Sequence, residues 1–132
     1  MSQENVALVR AACEWANRTR DFDIGDVIHP DFEWHTRQDL PDAGARKGYE
    51  GVARLRAEWV EAFEDFRIDV EDWIDGGDRV VTVSRLRGRI RGTGHEVDVP
   101  ETQVWQIRDG KAAEVRAYLT RAEALKAVGL EE

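Results

Sequence analysis

The chain has 132 residues, a formal net charge of −8 and one cysteine, Cys13. One domain over 1–132 is expected at that length, with enough chain to bury a core without staples. The acidic balance argues against a nucleic-acid or anionic-membrane surface, which needs a basic footprint, and a single cysteine excludes an internal disulfide.

The opening "MSQENVALVR" lacks the charged-then-apolar order of a secretion signal, and no apolar run approaches a membrane span. A soluble cytoplasmic protein is the expectation. Residues 3–19 read as a helix, because Val6, Val9, Cys13 and Ala16 recur at three- and four-residue spacing beside Ala12. Ser2 suits its N-cap, and Trp15 sits at the edge of the stripe. Cys13 reads first as a buried, inert thiol. "DFDIGDVI" reads as a short helix or turn that His29-Pro30 ends, since a residue before proline disfavours helix. "FEWHT" alternates like a strand, with Phe32, Trp34 and Thr36 on one side and Glu33 and His35 on the other. Segment 37–48, polar with Pro and Gly, reads as a loop over the mouth of the fold. Residues 50–66 read as the clearest helix, with Val52, Leu55, Trp59, Phe63 and Phe66 in one stripe and Arg54–Glu58 as an i,i+4 pair.

The period then changes to two. "RIDVEDWID", "RVVTVSRLRGRI", "VDVPETQVWQI" and "AAEVRAYL" read as four antiparallel strands, and Asp109-Gly110 is the strongest hairpin signal. Trp73 breaks phase with Ile68 and Val70, which places it on the other side of the sheet. Thr120 and Glu123 form a capping box for a last helix that Gly129 stops. Helices segregated from an antiparallel sheet define an α+β fold. The expected shape is a cone: a strongly curved antiparallel sheet, with helices on its concave face, enclosing a pocket for a small ligand.

The stretch "ETQVWQI" is informative within that frame. Alternation puts Glu101, Gln103, Trp105 and Ile107 on one face, and Thr102, Val104 and Gln106 on the other. A plain core face would be apolar throughout, and a plain solvent face would not carry Trp and Ile. The wall of a pocket accounts for both.

"HPDFEWHT", "YEGVARLRAEWVEAFEDFRID", "DRVVTVSRLRGRIRGTGHEVD", "VWQIRDGKAAEVRAYL" and "RAEALKAVGL" together resemble the SnoaL-like branch of the nuclear transport factor 2 superfamily. The resemblance spans nearly the whole chain. It implies the cone-shaped scaffold and a homodimer through the outer sheet face, but little chemistry, because the superfamily hosts isomerases, cyclases, dehydratases, epoxide hydrolases and binding modules. The places that carry the catalytic residues of steroid isomerases of this fold correspond to Cys13, Trp34 and Gln103, and none matches. A shift of one residue would bring His35 to the place given to Trp34. The Asp-Arg-Asp trio of the epoxide hydrolases corresponds to Leu86, Ser84 and Ala117, and again none matches. The resemblance agrees that Glu101, Gln103 and Trp105 face the cavity, and adds Thr82, Ser84, Leu86, Val115, Ala117 and Leu119 to its wall.

Glu101 is then the one carboxylate placed on the inner wall. Desolvation beside Trp105 would raise its pKa and suit it to general acid–base work. The opposing reading has Pro100 turning Glu101 to the rim and water. Gln103 and Ser84 are candidate anchors for a substrate carbonyl or hydroxyl. His35 is the second proton-transfer candidate, against a default surface pair with Glu33. Cys13, Trp15, Trp34, Trp59 and Trp105 complete the candidate substrate-binding set, with plain core packing as the alternative for the tryptophans. His29, His35 and His95 lack metal-ligand spacing, and no phosphate loop or nucleophile elbow occurs, so neither metal nor cofactor is expected. On the outer face, Arg85, Arg87, Arg89 and Arg91 alternate. A turn at Thr93-Gly94 would set Arg91 opposite Glu96 and Arg89 opposite Asp98, with Val83 and Val104 as an apolar patch beside them. Two readings follow: an acid–base isomerase, cyclase or lyase acting on a small apolar or polyketide-like molecule, or a non-catalytic homodimer that binds one.

Overall fold

A computed structural model of the chain describes residues 2–17, 23–36 and 44–129. Helix α1 covers Ser2–Ala16, and a single 3₁₀ turn follows at Ile24–Asp26, capped by the Asp23 side chain. Strand β1 is Ile28–His35, β2 is Ala45–Lys47, α2 is Gly48–Ala62 and β3 is Phe63–Asp75. Then come β4 at Arg79–Ile90, β5 at Glu96–Arg108, β6 at Lys111–Tyr118 and α3 at Arg121–Ala127. The strands form one six-stranded sheet in the order β2-β1-β6-β5-β4-β3. The fold is α+β, as the sequence pattern implies. The sheet is mixed rather than wholly antiparallel, because β1 runs parallel to β6. That pairing joins the two ends of the chain and has no local signal.

Four local expectations change. Residues 45–47 of the expected loop form an edge strand on β1; residues 37–43 lie outside the described residues. The second helix stops at Ala62, so Phe63 and Phe66 belong to β3. Asp65 takes a positive φ of 54°, and the register shifts between Glu64 and Arg67, which lets Phe66 turn back and stack on Trp59 at 4.7 Å. Strand β1 starts at Ile28 and passes through Pro30, which is tolerated because the β1–β6 register shifts between Ile28 and Glu33. Trp73 is not on the far side: a bulge between Val70 and Asp72 resets the phase, so Trp73 pairs with Thr82 and packs on the same core as Ile68 and Val70.

The expected turns carry through at two sites. Asp109 and Gly110 have φ values of 54° and 73°, the type I′ geometry that matches strand twist. Thr120 Oγ1 accepts from the Glu123 N–H at 3.2 Å, capping α3.

The core lies on the inner face of the sheet, where α1 and α2 pack. Val9, Ala12, Cys13 and Ala16 from α1, with Val52 and Leu55 from α2, meet Ile68, Val80, Trp105 and Val115. A smaller cluster on the outer face joins Val81 and Val104 to Ala124 and Leu125 of α3. The apolar patch around Val104 is thus covered by the chain's own last helix. The edge strand β3 is clasped by α1: the Asn17 side chain donates to Ile68 O at 3.0 Å and accepts from Ile68 N–H at 2.7 Å. Among the described residues no helix is long and apolar enough to cross a membrane.

The outer arginine ladder forms with a different register. Five residues, 91–95, connect β4 and β5, so Arg89 faces Glu96 and Arg87 faces Asp98, two positions from the expected pairing. Arg85 contacts Asp98 at 2.5 Å, Arg87 bridges Asp98 and Asp69, and Arg89 reaches Asp65 at 2.8 Å. Arg54 pairs with Glu50 instead of Glu58. Glu58 is held by a two-pronged bond from Arg46 of β2, at 2.7 and 2.8 Å, which keeps its carboxyl below the usual carboxylate range.

Candidate active site

Strand pairing assembles the inner wall. Gln103 sits opposite Thr82 on β4 and Ala117 on β6, Glu101 sits opposite Ser84, and Trp105 sits opposite Val80 and Val115. Paired residues share a face, so Glu101, Gln103, Trp105, Thr82 and Ser84 line one side of the sheet. All five are buried: Glu101 is 7% exposed, Ser84 and Trp105 1%, Thr82 and Gln103 0%. Pro100 therefore does not turn Glu101 out to solvent.

The buried polar groups are organised. Gln103 Nε2 donates to Glu101 Oε2 at 2.8 Å. Ser84 Oγ donates to the Glu101 carbonyl oxygen at 2.7 Å, which ties β4 to β5 beside the carboxylate. Trp105 Nε1 donates to Thr82 Oγ1 at 3.3 Å. Gln103 Oε1 is buried and has no hydrogen-bond partner. A carboxylate held on an inner wall by a neighbouring amide can accept a proton from a molecule beside it and return it elsewhere.

The tryptophans gather at the other end of the same face. Trp34 pairs with Val115 and meets Trp59 at 5.4 Å and Trp105 at 5.6 Å, both edge-to-face. Trp15, Trp34, Trp59 and Trp105 line one apolar space with Phe32 and Leu55. The rings nearly fill it: about 20 Å³ remains, close to one water. Arg56 lies 4.2 Å over the Trp15 ring, a cation–π contact at its edge. Glu101 and Gln103 do not line this space. Glu101 lies four residues from Trp105, roughly 13 Å along the strand.

Two candidates fall elsewhere. Trp34 holds the inward place in β1, and His35, paired with Arg116, points to the outer face. Its Nε2 lies 3.1 Å from Glu33 Oε1, the surface pair named above, so His35 and Glu101 stand on opposite sides of the sheet. Cys13 faces β3, where it borders a cleft with Ile68, Val70 and Trp73 rather than the tryptophan space. Burial pushes its thiol up to about 12. Among the described residues no group of three His, Cys, Asp or Glu could hold a metal ion.

Phe32 and Arg56 belong to the aromatic end but were not singled out by sequence. The alternation of 32–36 places Phe32 beside Trp34 and so carried its signal; no spacing rule brings Arg56 to Trp15. The apolar strip beyond Glu101 was legible only in part. Val99 and Leu119 are exposed and Leu86 half-buried, and Val99 pairs with Leu86 on the inner face.

The same fold occurs in solved structures. Bal32a, from a soil-derived mobile gene cassette, shares 19% identity over 89% of each chain with a TM-score of 0.78. A Jannaschia sp. protein classed as a SnoaL-like polyketide cyclase shares 23% identity over 99% of this chain and 95% of that one, with a TM-score of 0.75. TerC, co-crystallised with polyporic acid, shares 21% identity over 96% and 98% of the two chains, with a TM-score of 0.72. At these identities the likeness is one of fold. No curated protein matches the chain significantly. The model of the SnoaL-like domain matches residues 9–115, and the chain therefore belongs to the SnoaL-like domain family.

Proposed function

We propose that this protein is an acid–base enzyme of isomerase, cyclase or lyase type, acting through its own side chains on a small apolar carbonyl compound. Glu101 is the proton-transfer group. Its carboxylate removes a proton from carbon beside the carbonyl and the electron pair moves into the carbonyl as an enolate; the proton then returns at another position, or the enolate carbon attacks a second carbonyl of the same molecule, whose C=O π bond opens to an alkoxide that takes the proton back from Glu101. Gln103 and Ser84 position this group: one through the carboxylate, the other through its main-chain carbonyl. The observation that carries the reading is a carboxylate 7% exposed on the inner wall, held by a fully buried amide. The polyketide cyclase class of one fold neighbour, and the co-crystallisation of another with polyporic acid, support a small polyketide-like substrate.

A second reading, a ligand-binding homodimer without catalysis, is favoured by one observation: Glu101 stands outside the aromatic space. A thermal-shift screen of wild type and Glu101→Gln against apolar carbonyl compounds and polycyclic metabolites, with each hit followed by mass spectrometry, separates the two. The enzyme reading expects a compound that wild type converts and Glu101→Gln binds unchanged. Equal binding by both proteins with no conversion would replace it with the binding reading.

A further inference from the structure

The row of arginines that begins on β4 ends in a member that meets no acid. Arg85, Arg87 and Arg89 each touch an aspartate. Arg91 pairs with no carboxylate among the described residues, and Glu96, expected opposite it, faces Arg89 instead. The Arg91 main-chain N–H donates to Ala62 O and its side-chain Nε to Val60 O, each at 3.0 Å, so the guanidinium is held against the end of α2. Both Nη groups are left without a hydrogen-bond partner among the described residues. Arg91 borders an open cleft of about 390 Å³. Val60, Phe63 and Phe66 give that cleft an apolar side, with the two phenyl rings 5.6 Å apart and each only half-buried. Asp65, the one acid in the described lining, is already bound by Arg89 at 2.8 Å, and the Asn17 amide is committed to Ile68.

We infer that this cleft binds a small flat molecule carrying one carboxylate, with Arg91 on the carboxylate and Phe63 and Phe66 against the apolar body. The site is separate from the proton-transfer wall, since Glu101, Gln103 and Ser84 do not line it. It is also separate from the aromatic space: Trp59 lines that space, Phe66 lines the cleft, and the two rings stack between them. A guanidinium presents its donors in a plane that matches the two oxygens of a carboxylate. Anchoring Nε on Val60 O reduces the freedom this long side chain must give up when a ligand arrives. The size fits as well: about 390 Å³ lies in the range of small-molecule sites, whereas the 20 Å³ left among the tryptophans admits about one water. The ligand's body would cover ring surface that folding has left in water.

Fluorine NMR titration of 4-fluorophenylacetate and 4-fluorophenylacetamide tests this, because the two probes share a ring and differ in charge. Wild type should bind the acid about tenfold more tightly than the amide at low salt, the size of one charge-assisted contact, and the preference should shrink as salt rises. Arg91→Gln should bring the two affinities together while keeping a cooperative melt. Arg91→Lys serves as the second variant: it keeps the charge and loses the planar fork, so it should show a smaller preference than wild type. Equal affinities in wild type, no binding of either probe by the folded protein, or a preference unchanged in folded Arg91→Gln or Arg91→Lys would overturn the inference. Glu101→Gln should leave the preference as it is. Loss of the preference in that variant would place the acid on the β5 wall and overturn the inference too, so the proton-transfer reading stands or falls apart from this one.

Discussion

The Glu101 and Trp105 regions of β5 share one face and one neighbour strand, yet they are built differently. At the Trp105 end, indole rings meet edge-to-face and leave about 20 Å³. At the Glu101 end, a carboxylate, an amide and a hydroxyl are buried together, and one acceptor is left over. The first end satisfies every demand of packing and so has little left to offer a ligand. The second holds polar groups that an apolar core of the same shape would not need. Ring contacts dominate one region, and in the other polar groups have been taken out of water and aligned.

Four substitutions probe that division. Trp105→Ala should have the largest effect on folding, about 3–5 kcal/mol by urea denaturation, because it empties a ring-sized volume that Trp34 and Val115 cannot collapse into. A loss under about 1 kcal/mol would mean the aromatic end is a soft pocket rather than core. Glu101→Gln should lower turnover of a converted ligand by about 10²–10⁴-fold, with binding retained. Unchanged turnover would move the chemistry away from β5. Ser84→Ala should cost about 1 kcal/mol in the same denaturation assay through the bond to Glu101 O, with a smaller effect on turnover than Glu101→Gln. Asp98→Asn, on the outer face, should matter least. The hydrogen bond from Arg85 chiefly, with Arg85 and Arg87 charges, holds the Asp98 carboxyl below its usual 3.8. A lowered carboxylate stabilises above its unfolded pKa and loses that contribution as pH falls through the folded value. Melting curves of wild type and Asp98→Asn should therefore differ slightly near neutral pH, converge below about pH 4, and also converge in high salt.

Period-two alternation in 101–107 was enough to place Glu101, Gln103 and Trp105 on one wall, because strand geometry leaves no other choice once the strand exists. The Asp109-Gly110 hairpin and the Thr120 cap were legible for the same reason: their signals are local. Trp73 was misplaced because one extra residue in a bulge resets the phase, and nothing in "VEDW" marks where it falls. Phe63 and Phe66 continue the helical stripe of Val52, Leu55 and Trp59, so only the backbone change at Ala62 removes them from it. The register of the arginine ladder turned on whether the connection was two residues or five. The parallel β1–β6 contact, which sends Trp34 inward and His35 outward, is a property of the whole chain and not of "FEWHT". The filling of the cone depends on ring orientations that composition does not carry.

The Asn17 clasp has a consequence for how this molecule behaves in company. An edge strand presents a row of unpaired amides to which another chain can add itself, and β3, at 13 residues, is a long template of that kind. Asn17 answers Ile68 with the same donor–acceptor couple that an incoming strand would offer. A neighbouring molecule cannot extend the sheet there without first prising α1 away. One amide side chain thus occupies the backbone groups of Ile68 that an added strand would need, and Asn17→Ala should self-associate, read by light scattering, before its melting temperature falls.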